Sequence, residues 1–175
     1  MIRKILVPTD GSDHAAKALD LAADIATKYG AGVIILHVLL SDATPGEMKA
    51  LAGKDLPGDV VRELDELEAL PLETEVLTGA YAPLHVPVPI KVLEQVGKVI
   101  VEHARKAAAD KGVADIGTRM VSGDAADRIV AAAEKEGADM IVMGSRGFGD
   151  LKGLLVGSVS HKVSHLAPCT CVTVK

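Results

Sequence analysis

Gly144-Ser145-Arg146-Gly147, followed after nine residues by Gly157-Ser158, brings together residue types that could do chemistry at one place. The segment lies between a strand-like run, Met140 to Met143, and a helix-like stretch that begins at Ser158. Gly144 and Gly147 let the backbone turn sharply off a strand and approach a ligand with no Cβ in the way, and Gly157 does the same at the helix entrance. Ser158 reads as the N-cap, and Ser160 falls in the first turn with Val159 between them. Free amides, two hydroxyls and the positive end of a helix would then converge. Such a convergence is an anion site, and phosphate fits it best. It is not the P-loop, because no G-x-x-x-x-G-K-[ST] occurs, nor a dinucleotide fingerprint, because no G-x-G-x-x-G follows the first strand.

Asp10 reads two ways. A carboxylate just past a strand end can accept from a ribose hydroxyl or help to hold Mg²⁺, whereas an acid at a helix N-terminus can simply complement the dipole. Arg146 is either a partner of phosphate oxygens or a solvated loop charge, and the glycine frame favours the phosphate role. His37, inside an apolar run, reads as a core or edge residue. His161 and His165 have a spacing that could hold a metal, yet no third ligand and no H-E-x-x-H accompanies them. Cys169 and Cys171 alternate in a β-like segment, poorly placed for a disulfide and too few for structural zinc, so they read as packing.

These residues need elements to hold them, and composition narrows the choice. The chain has 175 residues, enough for one domain with a sizeable core. Hydrophobic residues make up 49% and aromatics 2%, so the core must be Ala, Val, Leu and Ile. That palette suits a helix-covered parallel sheet and is a poor one for stacking on single-stranded nucleic acid. A net charge of −5 gives no basic footprint for duplex DNA or RNA. No run approaches the ~18 apolar residues of a membrane span. Met1-Ile2-Arg3-Lys4 leads straight into a strand-like segment rather than a signal peptide, which predicts a soluble, cytoplasmic protein.

Ile2 to Thr9 reads as a strand ending in the turn Pro8-Thr9-Asp10-Gly11-Ser12. Ala15, Ala18, Leu19, Ala22, Ile25, Ala26 and Tyr29 then recur at helical spacing, with Ser12 or Asp13 to cap the start and Gly30 to end it. Val33 to Leu40 reads as a buried parallel strand. The stretch 41–89 breaks the rhythm: it holds six of the eight prolines and an acidic helix-like patch around Asp59 to Leu70, and it reads as an insertion. From Ile90 to Lys111, Leu93, Val96, Val99 or Ile100, His103 or Ala104, and Ala107 mark another helix. The pattern repeats with strand Ile116 to Val121, helix Ala125 to Glu136, strand Met140 to Met143, helix Ser158 to Leu166 and strand Thr170 to Val174. Alternating strands and helices predict a parallel sheet with right-handed crossovers, and a ligand site beyond the strand carboxyl ends where the order reverses. The last strand would leave backbone groups unpaired at an edge unless a second chain covers it.

The opening Ile5-Leu6-Val7-Pro8-Thr9-Asp10-Gly11-Ser12, the Leu36-His37-Val38 of the second strand, and Gly144-x-x-Gly147-x9-Gly157-Ser158 together resemble the ATP-binding branch of the universal stress proteins. The resemblance covers nearly the whole chain apart from 41–89. It implies an α/β fold with an open, five-stranded parallel sheet in the order 3-2-1-4-5 and helices on both faces, Rossmann-like and of the adenine nucleotide alpha hydrolase type. It also implies homodimers paired through the last strand, Thr170 to Val174. Carried over by motif, Asp10 lies at the nucleotide with Pro8 and Thr9 beside it, and Val38 touches the adenine. Met143, Gly144, Arg146, Gly147, Gly157, Ser158, Val159 and Ser160 surround the ribose and phosphates. The implied cofactors are ATP and Mg²⁺, or Mn²⁺ in its place, with Asp10 as a ligand through the metal-nucleotide.

No clear general base, no second carboxylate next to Asp10 in the motif and no lysine set to stabilise a transferring phosphoryl group accompany the site. The reading is therefore an ATP-binding stress-response regulator acting as a nucleotide-dependent homodimeric switch, read in turn by a client protein. The alternative is a slow ATPase or an autophosphorylating phosphotransfer enzyme. An adenylating enzyme would want Ser-Gly-Gly-x-Asp-Ser after the first strand, and Pro8-Thr9-Asp10-Gly11-Ser12 departs from it.

Overall fold

The computed structural model describes residues 1–70, 73–75, 81–83, 87–148 and 157–175. In chain order its elements are β1 (Lys4–Pro8), α1 (Asp13–Tyr29), β2 (Gly32–Val38), α2 (Pro45–Ala52), a 3₁₀ turn (Gly53–Asp55), α3 (Gly58–Glu68), β3 (Glu73–Glu75), β4 (Tyr81–Pro83), α4 (Ile90–Asp110), β5 (Ile116–Val121), α5 (Ala125–Glu136), β6 (Met140–Gly144), α6 (Ser158–Leu166) and β7 (Thr170–Val174).

Period-two alternation in apolar strands decides the layering. Ile5 and Val7 of β1, Val33 and Ile35 of β2, and Val142 of β6 point to one face, where α1 and α4 meet them with Ala18, Ala22, Ala26, Ala104 and Ala108. Leu6, Ile34, Leu36, Ile141 and Met143 point the other way, onto Ala126, Ile129 and Ala133 of α5 and Val163 of α6. Strands apolar on both faces must be covered on both, and small alanines let the helices come close. All four pairings are parallel, in the order β5-β2-β1-β6-β7, which is 3-2-1-4-5 when the strands of this sheet are counted along the chain. Strands β3 and β4 form a separate antiparallel pair.

Helix limits follow local chemistry. The Ser12 hydroxyl accepts from the Ala15 amide at 3.3 Å to start α1, and Gly30 ends it. Tyr29, expected on the apolar stripe, is 54% exposed, and Ala23 is buried instead. In α4 Leu93 and Val96 are buried as expected, Ile100 and Ala104 are buried rather than their alternatives Val99 and His103, and Ala108 is buried in place of Ala107. The stripe turns because α4 serves two partners, the sheet and the helices before it. His103 faces out and pairs with Asp55 at 2.6 Å. The last strand begins at Thr170, so Cys169 precedes it; both thiols are free, half-buried, and pushed above their ordinary pKa by burial.

Within 41–89 the structure has more order than the apolar pattern offered. Helix α2 is announced by a capping box, Thr44 with Glu47, and by Pro45 at its first position rather than by an apolar repeat. Met48, Ala52, Val60 and Leu64 of α2 and α3 bury against Val92, Leu93, Val96 and Ile100 of α4, forming a third apolar cluster. Residues 71, 72, 76–80 and 84–86 of that stretch lie outside the described residues. Among the described residues no helix is long and apolar enough to cross a membrane.

Strand β2 carries one polar ring into the core. His37 has no exposed surface; its Nδ1–H donates to the Thr9 carbonyl at 2.9 Å, and Nε2 has no partner among the described residues. The ring lies against Gly97 of α4, where a Cβ would sit 2.8 Å from His37 Cδ2. Burial pushes the His37 pKa below its ordinary value, against the opposing pull of the Thr9 bond and the Asp10 charge.

Two outcomes follow from this contact. Gly97→Ala gains helix propensity but overpacks the ring, and the balance should lower stability by about 1–2 kcal/mol, read as an earlier urea midpoint. The sign of the pH effect comes from proton binding: below about pH 6.5 an unfolded His37 takes a proton that the folded one refuses. Stability should therefore fall as pH drops from about 6.5 towards the lowered folded pKa, and His37→Met should lose less stability between pH 7.5 and 5.5 than the wild type does. Equal losses in both proteins would contradict it.

Candidate functional site

Strand order reverses at β1, which has β2 on one side and β6 on the other. The chain leaves β1 for α1 on one face of the sheet, and α6 lies on the other face, so the connections after β1 and β6 diverge and leave a crevice at the strand carboxyl ends. A cleft of about 350 Å³ occupies it. Pro8, Thr9 and Asp10 come from the end of β1, Val38 from β2, Met143, Gly144, Arg146 and Gly147 from β6 and the loop after it, and Gly157, Ser158, Val159 and Ser160 from the start of α6. All twelve residues assigned from the sequence to the nucleotide site thus line this one cleft. Residues 149–156, the middle of the glycine loop, lie outside the described residues.

Asp10 is tied from both sides. Its Oδ1 accepts from the Ser12 amide at 2.9 Å, closing the turn into α1, and its Oδ2 accepts from the Phe148 amide at 2.9 Å, reaching across to the glycine loop. Gly147 makes the second bond possible, since a Cβ there would lie 2.6 Å from Oδ2. Arg146 donates from Nη2 to Nε2 of His14, in the first turn of α1, at 3.2 Å, which places the His14 proton on Nδ1. The cation therefore sits at the cleft with a protein partner.

The helix entrance differs from the sequence reading in two ways, the identity of the cap and the direction of the Ser160 hydroxyl. Gly157, not Ser158, occupies the N-cap, and Ser158 is the exposed first helical residue. None of Gly144, Gly147 and Gly157 has a positive φ, and Gly157 sits at −73°, so close approach rather than left-handed backbone is what Gly147 supplies. The Ser160 hydroxyl is buried and points inward, donating to the Ser145 carbonyl at 2.7 Å with the Gly157 carbonyl 3.0 Å away, so one hydroxyl rather than two is left for a ligand. The Gly157 amide also donates to the Ser145 carbonyl, at 2.7 Å, which closes the loop at its base. No side chain among the described residues caps α6, leaving the amides of Ser158, Val159 and Ser160 at a positive helix end.

Leu36, Leu40, Asp42, Ala125, Ile129 and Phe148 also line the cleft and were not singled out from the sequence. Their signal was position: each lies at or just past a strand end, or in the first turns of the following helix. The site thus joins an uncapped helix end and one cation to an apolar wall at the β2 side. Such an arrangement suits an anion that carries an apolar or aromatic body. Among the described residues no group of three or more His, Cys, Asp or Glu could hold a metal ion, and His165 Nδ1 donates to the His161 carbonyl at 3.0 Å.

Comparison with known proteins points to one family along the whole chain. The universal stress protein family model matches residues 1–175. Universal stress protein YxiE of Bacillus subtilis is 35% identical over 176 residues, covering 100% of each chain. The solved structure of MJ0577 from Methanocaldococcus jannaschii is 29% identical with a TM-score of 0.65, covering 100% of this chain and 96% of that one. A universal stress protein solved in complex with cAMP shares the fold at 22% identity, with a TM-score of 0.60 over 99% of this chain and 96% of its own. A match that runs the full length of the sequence, with a sheet order and cleft to accompany it, makes this chain a member of the universal stress protein family.

Proposed function

We propose that the cleft binds an adenine nucleotide, ATP in the first place, and that the bound state of a homodimer is what partner proteins read. The observation that carries this reading is the meeting, in one cleft, of the uncapped α6 N-terminus with the glycine loop tied to Asp10. Phosphates belong on the Ser158, Val159 and Ser160 amides and the Ser158 hydroxyl, with Arg146 beside them. The base belongs at the apolar β2 end, against Val38 and Leu40. The relative bound to cAMP shows that one protein of this fold takes an adenine nucleotide. Mg²⁺ would travel with the phosphates and use the lone pairs that Asp10 has left, since one or two carboxylates plus phosphate oxygens are its usual ligands.

We read residues 1–175 as one domain in which 41–89 is inserted between β2 and α4, joined to it through the shared apolar cluster. The free thiols at Cys169 and Cys171 suit a reducing compartment such as the cytoplasm. The dimer pairs β7 with its copy. Val174 turns its backbone towards β6, because its carbonyl accepts from the Ser145 amide at 2.7 Å. By alternation Val172 does the same, while Cys171 and Thr173 present their backbone groups outward.

Calorimetry with ATP, with and without Mg²⁺, tests the cleft. Gly147→Ala places a methyl group on the Asp10 carboxylate and should abolish most binding in a folded protein, whereas Asp10→Ala should cost about 1–3 kcal/mol and most of the metal dependence. Unchanged ATP affinity in folded Gly147→Ala, or preference for GTP over ATP, would sink the reading. For the dimer, Thr173→Pro removes an outward donor and should give monomers in sedimentation, while Val172→Pro strikes the β6 ladder and should destabilise the fold as well. A wild type that sediments as a monomer at micromolar concentration rules the β7 dimer out.

A further inference from the structure

Among the described residues His37 is the one histidine with no exposed surface, and neither the phosphate nor the base end of the cleft uses it. Its place in the ladder gives it a task. The β1–β2 pairing runs to Pro8 opposite Leu36, and one more bond follows, from the Thr9 amide to the Leu36 carbonyl at 2.9 Å. The next rung of a continued parallel ladder would bring the Val38 amide to the Thr9 carbonyl. That carbonyl instead accepts from the His37 ring, at 2.9 Å. A side chain therefore holds the strand end where a backbone rung would have drawn β1 and β2 together, and the cleft opens at that point.

We propose that His37 is a positioning residue for the nucleotide site: its Nδ1–H fixes the Thr9 carbonyl and, through it, the peptide that carries Asp10. The inference rests on the nucleotide reading above and concerns how that site is held open. The ring cannot drift, because Gly97 of α4 closes on its far edge, where a Cβ would lie 2.8 Å from Cδ2 and 3.1 Å from Nε2. The carbonyl has no donor of its own, so the ring must carry its proton on Nδ1 and leave Nε2 bare. The nitrogen, unpartnered among the described residues, is the cost of keeping this donor in an apolar layer. An apolar residue would avoid that cost but would leave the Thr9 carbonyl without its donor, and the turn into Asp10 without its anchor.

Two variants separate positioning from packing. Asn at position 37 puts an amide N–H close to where Nδ1 stands but leaves a void where the rest of the ring was. Met fills the ring's volume with an adaptable apolar chain and offers no donor. His37→Asn should therefore unfold at lower urea than His37→Met, yet bind ATP within about threefold of the wild type, while His37→Met should lose about tenfold or more. The orders of stability and affinity should cross. Nitrogen NMR of the wild type should show His37 protonated on Nδ1 alone. Affinity that simply follows stability, with the Met variant binding at least as well as the Asn variant, overturns the proposal, and so does a proton found on Nε2. If the wild type itself binds no nucleotide, the reading of the cleft fails and this inference fails with it. Tight binding by the wild type with no crossing fails this inference alone.

Discussion

A single carboxylate holds together two loops that the topology drives apart. After β1 the chain goes to the face occupied by α1 and α4, and after β6 it proceeds to α6 on the opposite face. Asp10 accepts one amide from each side, Ser12 and Phe148, at 2.9 Å. A carboxylate is the one short side chain that offers acceptors in two directions with no donor to place, and hydrogen bonds to a charged group are the stronger kind. The cleft depends on this tie. It also spends much of the acceptor capacity of Asp10, so the residue builds the site before it contacts anything within it.

The second tie lies at the foot of the glycine loop. The Ser145 carbonyl accepts from the Gly157 amide and the Ser160 hydroxyl, both at 2.7 Å, joining the two ends of a long excursion. The Ser145 amide donates in turn to Val174, so the β6–β7 ladder continues one rung past β6 and anchors the loop's beginning. These bonds use the N-cap amide and turn one hydroxyl inward, while the next three amides of α6 have, by helix geometry, no acceptor within the helix. Among the described residues no side chain caps that end. The inward hydroxyl belongs to Ser160, which is buried, while Ser158 is exposed.

Much of the fold was legible because buried parallel strands read as apolar runs and their crossover helices as period-3.6 stripes. Ile116–Val121, Ala125–Glu136, Ser158–Leu166 and Thr170–Val174 coincide with the limits expected. The cleft-lining residues were legible as a set, since glycines and serines at strand ends have few reasons to cluster. Their individual roles were less so. Whether Gly157 or Ser158 caps α6 depends on where the loop re-enters, and whether Ser160 faces in or out depends on a carbonyl fifteen residues away in sequence. Helix α2 escaped the periodicity because a capping box, not an apolar stripe, defines it. His37 could be placed in a strand, but its bond to Thr9 is a tertiary fact that no local pattern carries.

The segment before α4 bears on the cleft more directly than its proline content suggests. Phe148, whose amide is held by Asp10, packs its side chain against the cluster that α2, α3 and α4 share, and Leu40 of the cleft lining belongs to that cluster as well. From the other side, Gly11 in the turn after Asp10 adopts a φ of +87°, and a Cβ there would lie 3.2 Å from the Leu51 carbonyl of α2. The turn, the loop and the inserted helices are thus packed as neighbours. Close-packed interiors shift between discrete arrangements rather than deforming smoothly. A rearrangement of the glycine loop large enough to move the Phe148 amide would therefore also disturb a ring packed against the α2–α4 core.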